Sequence, residues 1–140
     1  MRGGILERSG GLADQTSLLS YVVLVLFQTL HTFEEIACDV FDMNVGHVTV
    51  ERNRYLVMAS VLSTITIIPL ALLIYDLPLG YYLGLFTSGV IGALQGVVHA
   101  VGYVRSGAVR GSLGAGFYTA IPLCITGVIV FVQLIHALLG

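Results

Sequence analysis

The sequence contains little charge: only 10% of its 140 residues are Asp, Glu, Lys or Arg, whereas 56% are hydrophobic. It has no tryptophan. Its 6 basic residues are all arginine, so it also has no lysine. The net charge of −2 offers no basic surface, so nucleic-acid binding is not expected. Two cysteines, Cys38 and Cys124, make no disulfide framework. With a mean hydropathy of +0.94, these shortages exclude an ordinary soluble domain and indicate a polytopic membrane protein.

Four apolar segments are long enough to cross a membrane as helices, and they leave no room for a separate soluble domain. The sequence therefore predicts an all-α, integral-membrane bundle of four transmembrane helices, with 1–140 as a single membrane domain. After a polar N-terminal tail at 1–16, the expected helices cover about 18–37, 54–75, 78–103 and 113–139.

Arginine placement predicts the orientation in the lipid bilayer. Arg52 and Arg54 lie between the first and second helices, and Arg105 and Arg110 between the third and fourth, so both loops lie on one side. The positive-inside rule puts these loops in the cytoplasm and both termini outside, although the arginines of the N-terminal tail argue the other way.

Small residues recur at every fourth position of the third helix and form a stripe along it: Gly80, Gly84, Ser88, Gly92, Gly96 and Ala100. Such a stripe lets another helix backbone approach closely. The partner is either another helix of the same chain or a second copy, so the sequence also leaves room for a homo-oligomer that packs through these residues.

A histidine and two carboxylates stand at the far end of the first helix. The apolar run begins near Leu18 and reaches His31 after roughly 20 Å of helix, inside a hydrocarbon layer about 30 Å thick. Glu34 and Glu35 follow at i+3 and i+4, so both flank the imidazole. A charged residue at such a depth costs about 2.5–3.5 kcal/mol, which indicates a functional cluster.

The third helix ends on the same side of the membrane as the first. Gln95, His99 and Tyr103 are spaced by four and share one face of it. Topology alone therefore brings His99 to the depth of His31.

Imidazole nitrogen and carboxylate oxygen bind Zn²⁺, Mn²⁺ or Fe²⁺, so we expect a divalent metal. The predicted ligands are His31, Glu34, Glu35 and His99. Glu34 and Glu35 are also predicted as catalytic groups, the spare one taking a proton from a water that the metal activates. Gln95 and Tyr103 are predicted to orient the ligands or the substrate in the cofactor site. A complete di-metal set would need further ligands from Glu51, His47 or Asp39.

Two other interpretations of the cluster remain open. Without a metal, a His–Glu pair relays protons or binds a cationic substrate. In the structural alternative, Glu34 or Glu35 pairs with Arg54 or Arg52 and closes the end of the bundle. The sequence has no Walker loop, Rossmann glycine pattern, CxxC pair or Ser-His-Asp set that would point elsewhere.

The chain resembles the HXXEE domain family of small bacterial membrane proteins. His31-x-x-Glu34-Glu35 matches the motif that names the family. Gln95-x-x-x-His99 corresponds to a later Asn-x-x-x-His, with Gln in place of Asn, and Ser106-Gly107 corresponds to a Pro-Gly pair. The resemblance covers about 20–130 and implies a bundle in a prokaryotic cytoplasmic membrane, but no particular reaction.

Three functions remain after this reasoning. The first is a metal-dependent membrane enzyme that acts on a lipid-like or hydrophobic substrate. The second is a small transporter or proton-coupled module, and the third is a structural subunit of a larger membrane complex.

Overall fold

The computed structural model describes residues 15–38, 43–45, 48–105 and 116–140. The predicted polar tail at 1–16 and the loop between the third and fourth helices lie almost entirely outside these ranges. In chain order, the described residues form α1 (Gln15–Ala37), β1 (Met43–Val45), β2 (Val48–Val50), α2 (Arg52–Ile74), α3 (Pro78–Phe86), a π-helical segment (Thr87–Ala93), α4 (Leu94–Arg105) and α5 (Phe117–Leu139).

The predicted all-α bundle of four membrane-spanning helices is confirmed. Among the described residues, four helices are long and apolar enough to cross a membrane, namely Gln15–Ala37, Arg52–Ile74, Pro78–Val101 and Phe117–Leu139. α3, the π-helical segment and α4 run on from one another and together form the third of these spans. Large apolar side chains such as Phe33 and Val98, each 61% exposed, cover the outer surface, where lipid tails would contact them.

The connection between the first two spans contains a short antiparallel hairpin. Met43 pairs with Val50 and Val45 with Val48. The β-branched run Val48-Thr49-Val50 favours the second strand of this hairpin.

The small-residue stripe packs inside the chain. A Cβ added to Gly80 would lie 2.8 Å from the Leu73 backbone nitrogen of α2, and one added to Gly96 would lie 2.7 Å from Cys124 Cβ of α5. The stripe therefore lets the third span approach α2 and α5. Its partners are helices of the same chain, as one of the two alternatives predicted. Association between copies of the chain stays a prediction.

The π-helical segment lies where the third span crosses α5 most closely. A Cβ on Gly127 of α5 would lie 2.5 Å from the Ala93 backbone nitrogen and 2.8 Å from Gly92 Cα. The Cys124 thiol donates to the Ala93 carbonyl at 3.1 Å. A π-helical turn takes more residues than an α-turn, so it rotates α4 relative to α3. This change of register is consistent with Ala100, the last stripe residue, being exposed.

The apolar core of the bundle lies between all four spans, toward the end away from His31. Its fully buried members are Tyr21, Leu24, Leu73, Tyr81, Leu123, Val130 and Leu134. The polar cluster thus occupies one end of the bundle, and tight packing fixes the helices that carry it.

Candidate metal centre

The last turns of α1 bring two of the predicted ligands together. His31 and Glu35 lie one turn apart on the same face, and His31 Nε2 is 3.5 Å from Glu35 Oε1. The His31 side chain is only 1% exposed, whereas Glu35 is 19% exposed. A buried imidazole thus faces a carboxylate at the edge of the bundle.

α4 contributes the third member of the group. His99 Nε2 lies 3.7 Å from the same Glu35 Oε1, and its side chain is 16% exposed. The rings of His31 and His99 meet edge to face, with centroids 4.9 Å apart and planes at 87°. One ligand atom from each of His31, Glu35 and His99 lies within 4.8 Å of the others, so these residues could hold a metal ion.

The separations suit a coordination shell better than direct hydrogen bonds. Charge-assisted N–H···O bonds are about 2.7–2.9 Å long, shorter than the 3.5 Å and 3.7 Å found here. Tetrahedral ligands at about 2.0–2.1 Å from Zn²⁺ stand roughly 3.3 Å from one another. A contraction of a few tenths of an ångström would bring Glu35 Oε1 to that distance from each of the two imidazole nitrogens.

Glu34 points toward the start of α5 instead of toward this group. Its Oε1 accepts the Tyr118 backbone N–H at 3.2 Å. Its Oε2 accepts the Thr119 backbone N–H at 2.9 Å and the Thr119 hydroxyl at 2.5 Å. The first backbone N–H groups of a helix have no partner within the helix and attract a carboxylate. Glu34 therefore joins the end of α1 to the start of α5.

Two hydroxyl groups hold the histidine and the carboxylate of the group. His31 Nδ1 lies 3.0 Å from Thr119 Oγ1. On the other side, the Tyr55 hydroxyl of α2 donates a short hydrogen bond to Glu35 Oε2. Thr119 and Tyr55 thus orient His31 and Glu35 from outside, as partners behind metal ligands commonly do.

Gly116 forms a wall of the site directly before α5. Its φ of +80° is a left-handed conformation that favours glycine. A Cβ there would lie 2.7 Å from His31 Cε1, 2.9 Å from Glu35 Cγ and 2.9 Å from His99 Cε1. Both the conformation and the contact with all three ligands therefore require glycine.

Gln95 and Glu51 are the other predicted site residues whose side chains the structure describes. Gln95 is half-buried on α4, one turn before His99, and Glu51 is exposed directly before α2. Tyr103 falls within α4, but its side chain lies outside the described residues, as do Asp39 and His47. The structure brings together three of the four predicted ligands and leaves Glu34 beside them.

Sequence reasoning missed Tyr55, Thr119 and Gly116. Tyr55 stands at the start of α2, on the same side of the bundle as the cluster. The Gly-Phe-Tyr-Thr run at 116–119 could have pointed to Gly116 and Thr119. It opens the last helix directly after the loop that follows His99, so it starts on the side of the membrane where the cluster lies.

Comparisons with known proteins add no relative to this description. No family model, no curated protein and no solved structure matches the chain. The resemblance to the HXXEE family therefore rests on the residues quoted above, and the site has to be interpreted from its own geometry.

Proposed function

We propose that this protein is a membrane-embedded, metal-dependent enzyme that acts on a lipid-like substrate. The observation that carries the proposal is the convergence of His31, Glu35 and His99 from two separate spans on one point. Buried polar groups in a membrane protein are costly and tend to be functional. Two histidines and one carboxylate also make a recognised ligand set for catalytic Zn²⁺ and for Fe²⁺.

The number of ligands favours catalysis over a purely structural metal. Structural zinc sites use four protein ligands, whereas catalytic sites keep one position for water or substrate. Only His31, Glu35 and His99 form such a group among the described residues. A bound metal would supply a water activated for attack at neutral pH.

The side chains of the site have separate roles in this proposal. His31, His99 and Glu35 Oε1 would hold the metal, while Tyr55 keeps Glu35 in place through Oε2. Glu34 is assigned to docking the start of α5, because its carboxylate already accepts three hydrogen bonds. Gly116 closes one side of the site and excludes any larger group there.

A lipid-like substrate fits the surroundings of the site. A groove of about 240 Å³ lies between α1 and α2, where apolar side chains such as Phe33, Ile36 and Leu56 alternate with four Ser and Thr side chains. Ile36 and Leu56 directly follow Glu35 and Tyr55 in the sequence, so the groove reaches the level of the site. We propose that an acyl chain lies in this groove while its polar end reaches Glu35.

Zinc titration of the purified full chain tests the metal centre. We expect about one ion per chain in the parent and a loss of affinity of at least tenfold in His99→Ala, because one of three ligands is removed. His136→Ala is the matched control, since His136 is exposed near the far end of α5. Equal affinity in all three proteins would contradict the proposal.

Incubation with vesicles of phosphatidylethanolamine and phosphatidylglycerol tests the reaction. We expect the zinc-loaded parent to release lipid fragments that mass spectrometry detects, and Glu35→Gln to release none. Intact lipid with a fully loaded parent would contradict hydrolysis of these lipids.

A proton-coupled module is the second candidate, and the buried polar side chains of α1 favour it. Ser17, Tyr21, Gln28 and His31 lie on one face of α1 and are all buried. Leu24, also buried on that face, interrupts this row between Tyr21 and Gln28. The interruption weighs against a continuous proton path along α1. Proton uptake by vesicles that contain the reconstituted protein would support the proton-coupled module instead.

A further inference from the structure

The hydroxyl of Thr119 lies between a carboxylate and an imidazole. Thr119 Oγ1 is 2.5 Å from Glu34 Oε2 and 3.0 Å from His31 Nδ1. A hydroxyl has one hydrogen to donate, whereas an ionised carboxylate only accepts. The hydroxyl therefore donates to Glu34, and its lone pair is left to accept from His31.

This direction of donation favours a His31 proton on Nδ1, the nitrogen that faces Thr119. A neutral imidazole carries one N–H and one lone pair. If Nδ1–H donates to Thr119, the lone pair is on Nε2. His31 Nε2 is buried, has no hydrogen-bond partner among the described side chains, and lies 3.5 Å from Glu35 Oε1. The lone pair is thus presented where the three ligand atoms converge.

We infer that Thr119 is a positioning residue that holds His31 in the Nδ1–H form and so prepares Nε2 for a metal. This inference rests on the proposed metal centre for its effect on affinity. The form of the imidazole can be measured without any metal, however. In known sites, a partner that receives the second N–H of a metal-binding histidine is commonly worth 10–100-fold in affinity.

The start of α5 makes this arrangement rigid. Glu34 also accepts the backbone N–H groups of Tyr118 and Thr119, so the carboxylate stays in place when the Thr119 hydroxyl is removed. Thr119→Val therefore removes one hydrogen-bonded bridge and leaves the docking of α5 on α1. Thr119→Ser keeps a hydroxyl at the same position.

Thr126→Val is the matched control on the same helix. The Thr126 hydroxyl donates to carbonyls of its own helix, Pro122 at 2.8 Å and Leu123 at 3.1 Å. Thr126→Val makes the same replacement of a hydroxyl by a methyl group, but away from the site. It separates the general effect of a Thr→Val change in α5 from the effect on His31.

The test combines ¹⁵N NMR of the histidine rings with zinc affinity, on the full chain in lipid nanodiscs at about pH 8, above the usual histidine range. The His31 signals are assigned by their loss in His31→Gln. In the metal-free parent, Thr119→Ser and Thr126→Val, we expect a protonated Nδ1 and an unprotonated Nε2. In Thr119→Val, we expect a mixture of both forms and a zinc affinity lower by about 10–100-fold.

The outcomes separate this inference from the proposed function. An unchanged His31 spectrum and unchanged affinity in Thr119→Val would overturn the inference and leave the metal centre standing. A parent that binds no zinc, but whose expected ring protonation becomes a mixture in Thr119→Val, would overturn the metal centre and support the role of Thr119 in holding the Nδ1–H form. A parent with Nε2 protonated would overturn the inference whatever the zinc affinity.

Discussion

The imidazole rings of His31 and His99, from α1 and α4, meet edge to face with their centroids 4.9 Å apart. The carboxylate of Glu35 lies against both, at 3.5 Å and 3.7 Å from their Nε2 atoms. Two spans that are distant in sequence thus share one site at an end of the bundle.

Gly116→Ala is expected to lower zinc affinity by at least tenfold. The added Cβ would lie under 3.0 Å from atoms of all three ligands. A residue with a Cβ also pays about 1–2 kcal/mol of conformational free energy to adopt the positive φ. Zinc titration, with circular dichroism to confirm helicity, measures this. Gly140→Ala has a similar φ of +79° but no neighbour within 4 Å, so it should match the parent. Parent-like affinity in Gly116→Ala would contradict the close contact of Gly116 with the three ligands.

Tyr55→Phe is expected to weaken zinc binding by about tenfold, because the hydroxyl that orients Glu35 is lost. The measurement is competition against a chelator of known affinity. Tyr75→Phe is the control, since Tyr75 is exposed at the opposite end of α2. If both variants bind zinc equally well, Tyr55 has no part in holding the carboxylate.

Much of this site could be predicted from the sequence, because the helical repeat puts His31 and Glu35 on one face and topology brings His99 to the same depth. The sequence could not decide between Glu34 and Glu35, which point about 100° apart on a helix. That choice depends on how α1 is rotated against its neighbours. Thr119 was missed for the same reason, since its contact depends on how α5 docks.

Gly127→Ala is expected to destabilise the bundle by about 1–3 kcal/mol, the usual cost of overpacking. Its Cβ would lie 2.5 Å from the Ala93 nitrogen and 2.7 Å from the Gly92 carbonyl carbon, and backbone atoms cannot move aside. Thermal unfolding in detergent measures this. For Gly89→Ala, the nearest atoms are ring carbons of Phe131 at 3.3 Å, so a smaller loss is expected. Equal midpoints for both variants would show that the crossing tolerates a methyl group.

The most direct test is the metal content of the purified full chain, measured by elemental mass spectrometry beside two matched variants. Glu35→Gln removes the carboxylate that contacts both histidines, whereas Glu51→Gln changes an exposed residue before α2. We expect about one Zn, Mn or Fe per chain in the parent and in Glu51→Gln, and almost none in Glu35→Gln. A folded parent that holds no metal even after incubation with these ions would contradict the metal centre.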